Sequence, residues 1–113
     1  MKVVIDGAGE VGSHLAKLLS REGNEVTVMD NDEKRLEAIS NTADVGAVEG
    51  EPSSIAAMRR AGVDEADLFI AVFPHVNQEV NLIACMFAKK LGAKKVVARI
   101  IYYPVTQFVV EVK

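Results

Sequence analysis

Lys2-Val3-Val4-Ile5-Asp6-Gly7-Ala8-Gly9-Glu10-Val11-Gly12 is the stretch that decides the fold. Its first half is a short β-branched apolar run, the composition of a buried strand. Its second half places glycines at 7, 9 and 12, where a chain leaving a strand can turn tightly and enter a helix. Val11, Leu15, Leu18 and Leu19 then recur at helical spacing, and Gly23-Asn24 stops that helix.

The same alternation continues outward. Residues 26–29 read as a second strand, and Asp30-Asn31-Asp32 as a turn and N-cap, with Asp32 the cap. The helix that follows runs to about Ser40, with Leu36 and Ile39 inward. Residues 45–48 are a weak third strand, interrupted by Gly46. Pro52 is expected at or near the first position of a helix that ends near Gly62, with Ile55 and Met58 as its apolar contacts. Residues 68–73 form the most strand-like run and should be central, with Pro74 ending it. Residues 77–91 are the longest helix, stopped by Gly92, and 95–101 a fifth strand.

Parallel pairing needs crossovers, and helices make compact ones. Right-handed crossovers then predict a Rossmann-like, doubly wound parallel α/β sheet in three αβα layers, with strand order 3-2-1-4-5. The segment 102–113 fits less well. Tyr102-Tyr103-Pro104 looks like a turn, and 108–112 has strand composition, either a sixth strand or an edge pairing between molecules.

Composition narrows the function classes. A chain of 113 residues is read as one domain, 50% hydrophobic and 26% charged. A net charge of −3 offers no basic stripe for nucleic acid. No apolar run approaches the roughly 20 residues of a membrane span. The start runs straight into a strand, so no signal peptide is expected. One cysteine supplies neither an internal disulfide nor a thiolate metal site, and fits a reducing cytoplasm. No metal ligands are predicted.

A lone GxGxxG is a weak signal. One that follows a strand, opens a helix and has an acid at the end of the next strand is a strong one. Gly7 permits the tight turn, Gly9 lets the backbone approach a pyrophosphate, and Gly12 lets the helix pack closely on the strand. The helix start offers unpaired N–H groups and the positive end of its dipole to the phosphates. Asp30 is placed to accept hydrogen bonds from adenosine ribose hydroxyls. A 2′-phosphate there would meet like charge, which favours NAD over NADP. The plainer reading of Asp30 is a helix cap or turn residue.

With these residues in view, the chain closely resembles the RCK or KTN family, the N-terminal nucleotide-binding domains of TrkA-type potassium-uptake proteins. The resemblance is carried by Gly7-Ala8-Gly9-Glu10-Val11-Gly12-Ser13-His14-Leu15-Ala16, Val28-Met29-Asp30-Asn31-Asp32, Ala66-Asp67-Leu68-Phe69-Ile70-Ala71-Val72, Glu79-Val80-Asn81-Leu82 and Val97-Ala98-Arg99-Ile100, over roughly residues 1 to 100. It implies regulation rather than catalysis. Such domains sit at the cytoplasmic side of an integral-membrane potassium transporter subunit and form homo-oligomers, dimers or rings, without entering the membrane themselves. NAD(H), or ATP/ADP in some members, changes their geometry and gates transport. The resemblance assigns nucleotide binding to the turn Gly7, Ala8, Gly9, Glu10, Val11 and Gly12 and to Asp30 with Asn31. It sets Gly50-Glu51 and Val72-Phe73 beside the adenosine, and Arg99 near the nucleotide or an interface.

The departures from the family pattern are informative. ATP-favouring members often carry arginine in the turn, whereas Glu10 would repel extra phosphate charge and leans toward NAD. Phe73-Pro74-His75 stands where threonine is common, and the tail lacks the family's polar turn and helix. Asp6 stands where an apolar or small residue is usual. It either repels the pyrophosphate or accepts N–H bonds from the loop, and the second is favoured because a central strand end is rich in orphan donors.

Other residues have plainer readings. His75 is an exposed loop histidine before it is a pH-sensitive contact, His14 a partly exposed helix residue, and Cys85 a buried, inert thiol. Leu82, Ile83, Cys85, Met86, Phe87 and Leu91 cover a wide arc, so the helix is either deeply buried or offers Ile83, Met86 or Phe87 to another subunit. Lys34-Arg35, Lys89-Lys90 and Lys94-Lys95 read as solvated. The alternative to a sensor is an NAD-dependent oxidoreductase or a fragment of one, which would need a substrate pocket and an acid or base beside the nicotinamide. A third reading is a scaffold that has lost nucleotide binding, which Asp6 and Phe73 make credible.

Overall fold

A computed structural model describes the backbone of residues 1–74, 78–102 and 106–113, and the side chains of all these except 78, 102 and 106–108. The elements alternate as the sequence pattern predicts: β1 (Lys2–Asp6), α1 (Glu10–Arg21), β2 (Glu25–Asp30), α2 (Glu33–Ser40), β3 (Gly46–Glu49), α3 (Ile55–Ala61), a 3-10 turn (Val63–Glu65), β4 (Leu68–Ala71), α4 (Gln78–Leu91), β5 (Lys95–Tyr102) and β6 (Thr106–Val112). They form one sheet in the order β3-β2-β1-β4-β5-β6.

β1 is central because both neighbours pair with it in parallel, Val3 opposite Val26 on one side and Leu68 on the other. The chain reverses its winding between β1 and β4, which makes their C-terminal ends the switch point where α/β sheets hold ligands. β6 is the sixth strand left open by the sequence, and it joins the parallel five from the edge. It runs antiparallel to β5, with Arg99 opposite Val109 and Ile100 opposite Phe108. A connection of only residues 103–105 is too short for a crossover, so only antiparallel pairing is open to it. The turn expected at Tyr103-Pro104 lies outside the described residues.

Strand alternation divides the core. Val3, Ile5, Val26, Val28 and Ile70 pack with Ala16 of α1 and with Leu36 and Ile39 of α2. Val4, Met29, Phe69, Ala71, Val96 and Ala98 pack on the other face, with Ala57, Met58 and Ala61 of α3 and with Ala84, Cys85 and Ala88 of α4. Full burial of each larger apolar side chain here contributes about 1.5–3 kcal/mol, which gives the three-layer sandwich its core.

Boundaries also differ from the sequence reading. α3 starts at Ile55 rather than near Pro52, because the Ser54 hydroxyl accepts from the Ala57 N–H and caps it there. Ile55 is consequently exposed, while Met58 is fully buried. β4 ends at Ala71, although Val72 still donates to the Asp6 carbonyl at 2.9 Å. On α4, Ala84, Cys85 and Ala88 face the sheet and Ile83 and Met86 are exposed, so only one side of its apolar arc is covered within the described chain. The expected first residue of that helix, Asn77, lies outside the described residues.

Candidate functional site

The glycine turn is tied to the strands on either side of it. Gly7 N–H donates to the Met29 carbonyl at 2.7 Å, and Ala8 N–H to Asp30 Oδ2 at 2.8 Å. Gly7 has φ +126°, and a Cβ there would lie 2.7 Å from Phe73 Cα and the Val72 oxygen. A Cβ on Gly12 would run into the Gly7 carbonyl oxygen, which is the close helix–strand packing expected of it. Gly9 has a neighbour the sequence did not reveal. The atoms nearest its missing Cβ belong to the Pro74 ring, with Cγ at 2.9 Å.

α1 begins directly on this turn. Gly9 is its N-cap, and no side chain among the described residues caps it. By contrast, Asp32 caps α2 through the Lys34 N–H, as expected, and Ser54 caps α3. The first N–H groups of α1 therefore face the sheet's C-terminal end with no side-chain acceptor from its cap residue. Exposed Glu10 and half-buried Val11 flank them.

Asp30 stands at the end of β2, fully buried. Oδ2 accepts from Ala8, and Oδ1 accepts from Asp32 N–H at 2.8 Å and from Arg35 Nη1 at 3.3 Å. Arg35 also pairs with Asp32 at 3.7 Å. This corrects the solvated reading of Arg35, whose place on the first turns of α2 brings it back over the strand end. Exposed Asn31 donates to Glu51 Oε2 at 3.2 Å, and Gly50 N–H donates to the Asp30 carbonyl at 3.0 Å. The structure thus gathers Asp30, Asn31, Gly50 and Glu51 beside the turn.

Val72 and Phe73 are buried at the end of β4. Asn81 of α4 holds this exit: its Oδ1 accepts from Phe73 N–H at 3.0 Å, and its Nδ2 donates to the Phe73 carbonyl at 3.4 Å. Asn81 has a positioning role that the sequence reading missed, and the available signal was a lone amide within an apolar helical arc. Arg99, half-buried, follows Ala98, the partner of Ala71, so it lies level with Val72 at the same end of the sheet. His75 lies outside the described residues. His14 is exposed, and burial pushes the Cys85 thiol up to about 12.

Asp6 overturns its favoured expectation. It is fully buried, and neither carboxylate oxygen has a hydrogen-bond partner among the described residues. The loop N–H groups it was expected to receive go to Met29 and Asp30 instead. Alternation along β1 explains this, because it puts Asp6 on the face of Val4, toward α4 and Cys85, away from the turn. Burial, and then the neighbouring charge of Asp30, hold its carboxyl well above the usual range.

Comparison with known proteins agrees with this architecture. The chain is 44% identical over 100 residues to the Trk system potassium uptake protein TrkA homolog of Archaeoglobus fulgidus, covering 88% of this chain and 22% of that protein. It is 40% identical over 91 residues to the Trk system potassium uptake protein TrkA of Haemophilus influenzae, covering 80% and 19%. The chain thus spans about a fifth of the length of these relatives. Among solved structures, the C-terminal domain of Shewanella denitrificans Kef in an AMP-bound form superposes with a TM-score of 0.71 at 21% identity, covering 90% of this chain and 60% of that one. The TrkA-N domain of the Escherichia coli inner membrane protein ybaL gives 0.60 at 19% identity, covering 86% of each. These two likenesses concern the fold. The family model described as the TrkA-N domain matches residues 3–104, and the chain belongs to the TrkA-N domain family.

Proposed function

We propose that this chain is the nucleotide-sensing domain of a Trk-type potassium-uptake system, binding NAD(H) on the glycine turn and catalysing nothing itself. The observation that carries the reading is the start of α1: a helix without a side-chain cap among the described residues, opening from a glycine turn at the switch point of the sheet. ATP or ADP would use the same phosphate contacts.

A carboxylate has about four acceptor positions, and Asp30 has three occupied here, which leaves one on Oδ2 for a ribose hydroxyl. Asp30 is buried, with Arg35 already on Oδ1, so a ribose reaches Oδ2 only if the groups over it shift. Val72, Phe73, Gly50 and Arg99 would border the ligand from the flanking strand ends. Bound nucleotide would act by favouring one geometry of a homo-oligomer, which changes transport only through a difference in affinity between two states. The uncovered side of α4, Ile83 and Met86, offers an apolar surface for another subunit or for the membrane transporter, on the cytoplasmic side.

Thermal unfolding with NAD, NADH, NADP, ATP and ADP tests this. A nucleotide at one hundred times its dissociation constant should add about 2.7 kcal/mol of stability. NAD or NADH should shift the transition more than NADP, and no shift with any nucleotide overturns the reading.

A further inference from the structure

We infer that the proton is a second ligand of this site: Asp6 takes up a proton when an anionic nucleotide settles on the glycine turn. The inference rests on the nucleotide reading above and adds a regulator to it.

Three observations carry it. First, Asp6 is the last residue before the turn, and its backbone is part of the framework that holds the turn in place. Its carbonyl accepts from Val72, and the next residue, Gly7, donates to Met29. Second, its carboxyl group is fully buried with neither oxygen partnered among the described residues, so no described group offsets a negative charge there. Third, the adjoining strand end already holds a carboxylate, and that one is compensated. Asp30 has two N–H donors and the Arg35 guanidinium, so its charge is stabilised in place.

Among the described residues, the groups around Asp6 leave protonation as the available response. β2 contributes Asp30, a like charge. α4 contributes Cys85, a thiol that stays neutral, and Asn81, whose amide is engaged by Phe73. β4 contributes Ala71 to this face, and α3 contributes Ala57 and Met58. Arg99 of β5 alternates to the face opposite Ala98, away from Val4 and Asp6. A pyrophosphate at the start of α1 adds negative charge next to the Ala8–Asp30 contact, and Asp30 already acts on Asp6 across the strands. An ionised Asp6 opposes it, and a protonated Asp6 does not. Nucleotide binding and proton binding therefore favour each other, and the coupling is reciprocal.

The consequence is measurable. Uptake of one proton weakens nucleotide affinity by up to about tenfold per unit rise in pH, between the Asp6 pKa of the free and bound states. Calorimetric titration of NAD and ADP into the chain and into Asp6→Asn, over about pH 5.5 to 8.5 and in buffers of different ionisation enthalpy, tests this. The wild-type chain should take up a proton on binding and lose affinity as pH rises, and Asp6→Asn should do neither. Matching pH profiles and proton counts for the two proteins would overturn the inference while leaving the nucleotide reading intact.

A carbon-detected NMR titration of the Asp6 carboxyl, with and without NAD, needs no variant. A higher pKa in the bound state supports the coupling, and an unchanged one refutes it. Failure of NAD, NADH, ADP and ATP to bind at any pH is a separate result, which removes the functional reading and the inference with it.

Discussion

The two strand ends beneath the glycine turn make an instructive pair. Asp6 closes β1 and Asp30 closes β2, on adjacent parallel strands, and both carboxylates are fully buried. Asp30 receives two backbone N–H groups and an arginine, whereas Asp6 receives nothing from the described residues. Burial alone therefore says little about whether a carboxylate stabilises a fold. What decides the sign is whether donors converge on it, since an unpaired buried charge loses its hydration with nothing in return.

Removing the compensated carboxylate should have the largest effect. Asp30→Ala strands the N–H groups of Ala8 and Asp32 and unpairs Arg35, and should destabilise the domain by about 3 kcal/mol in urea unfolding. A loss below 1 kcal/mol would mean that water replaces the carboxylate readily, and the contrast with Asp6 would collapse.

Removing the uncompensated one should do the opposite. Asp6→Asn should stabilise the domain by about 2 kcal/mol at pH 8, because the amide carries no charge to desolvate. The pH dependence has a definite direction. The folded pKa of Asp6 is raised above its ordinary value of 3.8, so the unfolded chain gives up this proton first. Its contribution is most favourable below 3.8 and declines as pH rises to the folded pKa, by up to about 1.4 kcal/mol per pH unit. The wild-type stability should show that decline, and Asp6→Asn should lack it.

Smaller changes sharpen the comparison. Arg35→Ala weakens the compensation of Asp30 but keeps both N–H donors, and Arg35 is one-third exposed. It should cost about 1 kcal/mol, less in high salt. A double-mutant cycle is finer still. In an Asp30→Asn background, Asp6→Asn should stabilise by about 0.5 kcal/mol less than in the wild type, because the like charge that raises Asp6 is gone. Strict additivity would show that burial alone acts on Asp6.

Much of this architecture was legible in the chain. The β-branched runs at 2–6 and 68–71, the glycines at 7, 9 and 12 and the helical spacing of Val11, Leu15 and Leu19 led to strand, turn and helix, and then to the strand order observed. The helix start at Ser54 was misplaced because Pro52 and Ser54 both make good N-termini, and only the Ala57 contact distinguishes them. Within the candidate site, the turn and Asp30 stood out through spacing. Arg35 and Asn81 did not, since each acts across space on a strand end that the sequence does not show beside it.

Local composition and periodicity determined the elements, because strand and helix repeats and glycine turns are written into neighbouring residues. Sequence could not determine where hydrogen-bond donors converge, because they come from residues far apart along the chain. Ala8 turns its N–H to Asp30 and leaves Asp6 alone, since the pleat of β1 directs Asp6 to the opposite face. The sheet's three-dimensional geometry made one of two buried aspartates a clamp and left the other without a partner among the described residues.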